Sequence, residues 1–257
     1  MKIIISGGML ANPAGEKRGR QDLLIEDGVI KAIGQNLGDA DKVIDAAGKT
    51  VFPGFIDLHC HLREPGQEHK EDIASGTRAA AKGGFTAVCC MPNTTPPVDN
   101  AAVCALVLEK ARRASVKVYP VGAATRGLEG RELTEMGELA EMGCVAFSDD
   151  GKPIANGGMM RAAMRYAATF GRFIMAHEED TSISGSGVMN EGYHSTVLGL
   201  PGISRVAEEA MIARDLLLAE AENLHVHIQH VSTAGGVRMI RDAKARGVKV
   251  TCETAPH

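Results

Sequence analysis

Three features of the chain predict an α/β protein with a parallel sheet of the (β/α)8, or TIM-barrel, type behind a small N-terminal β-module. From residue 55 onward, short apolar runs alternate with helix-like stretches. Glycines stand where those helices should end. Polar and ionisable residues gather at the C-terminal ends of the apolar runs. Repeated βα units indicate a parallel sheet, and TIM-barrel enzymes build their active sites at the C-terminal ends of the strands.

The N-terminal module, residues 1–52, has a different rhythm. It carries β-rich pieces at Lys2–Ser6, Asp22–Glu26, Val29–Ile33 and Val43–Asp45, which reads as a small β-sandwich segment. Asp27-Gly28 lies between two apolar runs and predicts a tight hairpin, because that pair tolerates positive φ. Pro53-Gly54 marks the exit, and the barrel domain is expected over 53–257. Its strands are expected at Phe55–Leu62, Thr86–Met91, Val116–Val121, Cys144–Ser148, Phe173–His177, Val226–Val231 and Val248–Thr254. Helices are expected over Asp72–Lys82, Asn100–Ala114, Gly157–Phe170, Ser204–Glu222 and Ala234–Arg246, with Gly83-Gly84, Gly143, Gly171 and Gly247 as C-caps. A doubly wound open sheet competes, but no G-x-G-x-x-G follows any expected strand. Only seven strands of the eight-stranded barrel are counted, so the chain is expected to be part of a longer polypeptide.

Composition narrows the function. The chain has 257 residues, 28 Lys+Arg against 32 Asp+Glu, and 44% hydrophobic residues. That is ordinary globular material, neither disordered nor polyanion-binding. Zero Trp and 4% aromatic residues argue against stacking on nucleic acid. No run approaches the roughly 20 apolar residues that span a bilayer. Cys60, Cys89, Cys90, Cys104, Cys144 and Cys252 form no C-x-x-C pair, and Met1–Leu10 holds no secretory apolar core. The expectation is a cytoplasmic protein with free thiols.

The chemistry concentrates at the expected strand ends. Alternation along the first strand puts His59 and His61 on one face, where both imidazoles can reach one ion. The fourth strand closes in Asp149-Asp150, the fifth in His177-Glu178-Glu179 and the sixth in His230. Four histidines and one aspartate make a borderline-hard N/O donor set, suited to Zn²⁺ and accessible to Mn²⁺, Co²⁺ or Fe²⁺. Adjacent strand residues face opposite ways, so only one of Asp149 and Asp150 should ligate. Asp57 shares the His59/His61 face and is read either as orienting a ligand histidine or as a buried structural carboxylate. Glu178 and Glu179 read as a solvated rim, His225 and His227 as structural residues on the face opposite His230, and His69 and His194 as polar-loop residues. Met159, Met160 and Met164 have the spacing of core packing.

Residues 53–66, Pro-Gly-Phe-Ile-Asp-Leu-His-Cys-His-Leu-Arg-Glu-Pro-Gly, resemble the opening signature of a bacterial-type dihydroorotase of the amidohydrolase superfamily. Met91-Pro92-Asn93-Thr94, Leu198-Gly199-Leu200-Pro201-Gly202, His230-Val231-Ser232-Thr233 and Thr251–His257 resemble the same family. The resemblance implies a zinc enzyme, with one or two ions, that interconverts N-carbamoyl-L-aspartate and L-dihydroorotate in de novo pyrimidine synthesis. It implies His59 and His61 at one metal, His177 and His230 at a second, and an aspartate joining them, Asp150 by spacing with Asp149 as the alternative. Arg63 and Asn93 match the family's contacts to the substrate carboxylate. A homodimer is the implied assembly, with a transcarbamoylase as a further candidate partner.

Related enzymes carry a carbamylated lysine on strand four; here the position holds the Asp pair, with Lys152 nearby. The superfamily's proton-shuttling aspartate belongs to strand eight, so no general acid/base is expected within residues 1–257, and that stretch alone is expected to turn over little substrate. Two other readings compete. One is an allied cyclic amidase of the hydantoinase or allantoinase kind; the other is an inactive homologue serving as an assembly partner.

Overall fold

The computed structural model describes residues 1–11 and 19–256, and His257 lies outside them. The described chain divides into two compact units, Met1–Phe55 and Ile56–His257. In the first, β1 (Lys2–Leu10), β2 (Gly19–Glu26), β3 (Val29–Gly34), β4 (Lys42–Asp45) and β5 (Thr50–Val51) form one sheet in the order β3-β2-β1-β4, with β5 also on β1. β2 and β3 pair antiparallel across Asp27 (φ 50°) and Gly28 (φ 79°), the left-handed pair that the dipeptide predicts.

The second unit alternates strands and helices. In order they are β6 (Phe55–Cys60, beginning at the last residue of the first unit), α1 (Ile73–Lys82), β7 (Phe85–Cys90), α2 (Ala101–Ala111), β8 (Lys117–Pro120), β9 (Gly122–Ala123), α3 (Met136–Met142), β10 (Phe147–Ser148) and α4 (Gly157–Thr169). After these come β11 (Ile174–Ala176), α5 (Thr181–Ser184), β12 (Met189–Asn190), α6 (Tyr193–Leu198), β13 (Gly202–Ile203), α7 (Val206–Glu222), β14 (Val226–Ile228), α8 (Ala234–Ala245) and β15 (Val250–Cys252). β6-β7-β8 form one sheet and β15-β14-β11-β10-β9 another, with parallel pairing at β7/β8 and throughout the second.

The run expected as one strand over 116–121 is two. β8 pairs with β7, the chain steps at Val121, and β9 turns to pair with β10. Gly122 permits the close approach: a Cβ there would stand 2.9 Å from two ring carbons of Phe147. α3, α5, α6 and the parallel pair β12/β13 were not anticipated from the sequence. Each is seven residues or fewer, too short to show a period.

The two faces of the sheets bury different material, as alternation requires. Val88, Cys90, Ile174 and Ala176 join the main core, where Phe147, Leu139, Met160, Met164 and Ile212 pack under the helices. Cys89, Met91 and Met175 turn the other way and form a second, smaller apolar cluster. Gln229 lies fully buried nearby, accepting from the Ser148 hydroxyl at 3.3 Å and donating to Met91 Sδ at 3.2 Å. His177 follows Met175 by two residues, which puts it on the side of this second cluster.

Candidate metal centre

The centre is organised around the Asp150 carboxylate, whose side chain is 4% exposed. His59 Nε2 stands 3.3 Å from its Oδ1, His177 Nδ1 3.6 Å and His230 Nε2 3.9 Å. On the other oxygen, His61 Nε2 lies at 3.5 Å and Asn93 Nδ2 donates at 3.0 Å. Two groups capable of holding a metal ion result, His59/His61/Asp150 and Asp150/His177/His230, and they share the aspartate. His59, His61, Asp150, His177 and His230 are therefore brought together from four separate strand ends.

The neighbouring Asp149 has a different fate. Its carboxylate accepts from the backbone N–H of Ala124 at 3.0 Å and of Thr125 at 2.9 Å, and from the Thr125 hydroxyl. It ties the end of β10 to the segment after β9, and burial raises its pKa against those hydrogen bonds. Burial also works to raise Asp150, but contacts from His177, His230 and His59 outweigh it and hold that carboxyl far below the ordinary range. Lys152 is exposed and belongs to neither group.

The outer nitrogens of the first pair are occupied. His61 Nδ1 donates to Asn93 Oδ1 at 3.0 Å, and His59 Nδ1 donates to Glu253 Oε1 at 2.7 Å. Each ring thus turns Nε2 toward Asp150. Burial opposes a charged His59, yet Asp150 and Glu253 carry its pKa up to about 9. Burial lowers that of His61, and Arg63 adds to the effect. The donor chemistry fits a metal ion: imidazole nitrogens from two sides face one desolvated carboxylate, with the remaining ring nitrogens of His59 and His61 taken by second partners.

Several sequence expectations change. The strand expected over Phe55–Leu62 ends at Cys60, and Arg63 sits beyond it in a left-handed turn with φ 61°. Its electrostatic effect on His61 marks its proximity, and among the described residues its guanidinium has no carboxylate partner. Asn93, expected at the substrate, has its carboxamide engaged by His61 and Asp150. Asp57 accepts from the backbone N–H of its neighbour His59 at 3.1 Å, and the carboxylate on the His59 ring is that of Glu253.

Glu178 is no solvated rim residue. It is 5% exposed, and burial and the nearby Asp215 push its carboxyl well above its usual pKa. Glu179 Oε2 lies 3.5 Å from His177 Nε2. His227 reaches Glu253, one contact from the centre, at 3.4 Å. Strand parity failed there because β14 ends at Ile228 and His230 takes φ 32°, outside the alternating region. His194 lies in α6 rather than a loop. Met160 and Met164 are buried in the main core as their spacing predicts.

Glu253 is the residue that sequence reasoning missed. Its only signal was its place beyond the end of an apolar run, the position shared by the five ligand candidates.

Comparison with known proteins settles the family. The dihydro-orotase-like family model matches residues 48–235. The chain belongs to the dihydro-orotase-like family. Dihydroorotases from Pelotomaculum thermopropionicum and Trichlorobacter lovleyi are 55% and 53% identical to it, over 100% of this chain and 60% and 61% of their own lengths. The chain thus spans about 60% of these curated relatives. Among solved structures, the L-hydantoinase (dihydropyrimidinase) of Arthrobacter aurescens superposes with a TM-score of 0.80 at 25% identity, over 99% of this chain and 58% of its own. A D-hydantoinase gives 0.79 at 28% identity, over 100% and 58%. Among the described residues of this family member, no helix is long and apolar enough to cross a membrane.

Proposed function

We propose that the protein is a cytoplasmic, zinc-dependent dihydroorotase that interconverts N-carbamoyl-L-aspartate and L-dihydroorotate in de novo pyrimidine synthesis. The catalytic unit is a (β/α)8 barrel of the amidohydrolase type, of which residues 53–257 supply seven strands, and it follows the N-terminal β-sandwich segment of residues 1–52 in the sequence. The observation that carries the reading is the pair of His-Asp groups sharing Asp150, with the uncommitted Arg63 cation beside His61.

His59 and His61 would hold one ion, His177 and His230 a second, and Asp150 both. A bound zinc ion supplies a nucleophile from water at neutral pH and polarises the carbonyl of the cyclic amide. The residues of this chain bind and orient the reactants. Arg63 receives the substrate carboxylate, for which a planar guanidinium offers two parallel donors. Asn93 holds His61 and Asp150 in register, and its carboxamide borders the same space. Asp150, buried among imidazoles, stays ionised and keeps the two histidine pairs at one distance.

The hydantoinase-like alternative draws on the structural neighbours, but a hydantoin without a carboxylate leaves Arg63 without a function. All four histidines converge, which an inactive assembly homologue has no need to maintain. The homodimer and the transcarbamoylase partner rest on family resemblance. Because the chain spans about 60% of its relatives, the assay is run on a polypeptide of their length carrying these 257 residues. Zinc-dependent ring opening of L-dihydroorotate at alkaline pH, faster than that of hydantoin, is expected. No turnover at full zinc content, or a preference for hydantoin, would contradict the proposal.

A further inference from the structure

We propose that Glu253 is the positioning residue that sets His59 for metal binding, and that His227 and Thr251 hold Glu253 in turn. The assignment rests on reading the His-Asp cluster as a metal site and goes beyond it, to a carboxylate just after β15 that binds neither metal nor substrate.

The argument is one of donors and acceptors. A carboxylate can only accept, so the 2.7 Å contact to Glu253 Oε1 requires a proton on His59 Nδ1. A neutral ring protonated at Nδ1 bears its lone pair on Nε2, the nitrogen that faces Asp150 at 3.3 Å. The wrong tautomer would turn an N–H toward the ion. Backing this contact, His227 Nε2 lies 3.4 Å from Glu253 Oε2, a longer electrostatic approach. His227 Nδ1 meets Thr251 Oγ1 at 2.8 Å, and His225 Nε2 meets the same oxygen at 2.9 Å.

One assignment of protons satisfies every contact. His225 donates to Thr251, Thr251 donates to His227 Nδ1, the proton left on His227 Nε2 stands on the nitrogen 3.4 Å from Glu253, and Glu253 accepts from His59. The donors therefore converge on Glu253 from both sides, and the neutral His59 ring held this way has a bare Nε2 at the centre. The backbone fixes the middle member on both sides: Glu253 N–H donates to Ile228 O at 3.1 Å, and Val231 N–H donates to Glu253 O at 2.8 Å. These contacts bind Glu253 to both ends of the loop that carries His230. Carboxylate partners of this kind orient ligand imidazoles and raise their basicity, and removing one typically costs about 10–100-fold in metal affinity.

The experiment measures zinc affinity of a polypeptide of the relatives' length carrying these 257 residues, by competition with a chromophoric chelator, alongside the melting temperature of the metal-free form. Glu253→Ala is expected to weaken zinc binding about 10–100-fold. Glu253→Gln, which keeps an acceptor oxygen but not the charge, should fall between it and wild type, with a near-wild-type melting temperature. His227→Phe should show a smaller loss in the same direction. A residue needed only for folding would lower the melting temperature and leave zinc affinity untouched, and that result for Glu253→Gln and Glu253→Ala would overturn the proposal. If the wild type itself takes up no zinc, the metal-site reading fails and this assignment falls with it. If the wild type binds zinc and both Glu253 variants bind equally well, only the positioning role fails.

Discussion

At the scale of single residues, the adjacent pair Asp149 and Asp150 shows how one backbone step separates structure from chemistry. Asp149 satisfies two backbone N–H groups and a hydroxyl, whereas Asp150 faces four imidazoles. Asp149→Ala leaves buried donors unpaired and is expected to cost at least about 2 kcal/mol in denaturant unfolding, with zinc stoichiometry unchanged in the molecules that fold. Asp150→Ala should instead abolish stoichiometric zinc uptake in elemental analysis. Loss of zinc from the Asp149 variant and retention by the Asp150 variant would reverse the assignment. Arg63→Ala is expected to raise KM for dihydroorotate by about 10–100-fold, or about 1.4–2.8 kcal/mol, without altering bound zinc. The ligand candidates were legible in the sequence because each ends an apolar run. The choice within the Asp pair was half legible: alternation says only that one ligates, and spacing under the family resemblance favoured Asp150 with Asp149 as the alternative. Glu253 and Glu178 were not legible: the first contacts a ring 194 positions away, and the second is buried near the charges of Asp215 and Arg214 in α7.

At the scale of elements, the centre depends on turns that leave regular strand geometry as the chain reaches it. His230 and Arg63 both take positive φ, conformations that cost energy for non-glycine residues and persist where the surroundings hold them. Gly66, at φ 89°, lets the Arg63 turn lie against the Asn93 turn, with Thr95 N–H donating to Pro65 O at 2.9 Å. A Cβ at Gly66 would run into the Thr95 carbonyl, so Gly66→Ala should part the two turns. The expected outcome is a stability loss of about 1–3 kcal/mol together with a raised KM, checked by urea unfolding and steady-state kinetics. Thr233 caps α8 directly after the His230 turn, its hydroxyl accepting from Gly236 N–H at 3.0 Å. Thr233→Ala should therefore cost about 1 kcal/mol in the same unfolding experiment. The long amphipathic helices and the Asp-Gly hairpin were readable from periodicity and turn chemistry. The segment from α5 to β13 was not, because its elements of two to six residues carry no period.

At the scale of the whole molecule, the alternation of strand and helix brings residues from sequence positions 59 to 253 to one side of parallel sheets. Sequence pattern could predict that convergence as a class of fold, because parallel strands fed by helices all end on one side. It could not predict which strand would break, as β8 and β9 do at Val121, since that depends on the packing of Phe147 against Gly122. An ion held by residues from several strand ends binds only the folded state. Zinc at about 100 times its Kd should therefore add about 2.7 kcal/mol, raising the melting temperature by several degrees, and a chelator should reverse the rise. The most direct measurement is anomalous diffraction at the zinc edge from zinc-loaded crystals. Ion peaks are predicted within the His59/His61/Asp150 and Asp150/His177/His230 groups; ordered imidazoles with no peak between them would contradict the account.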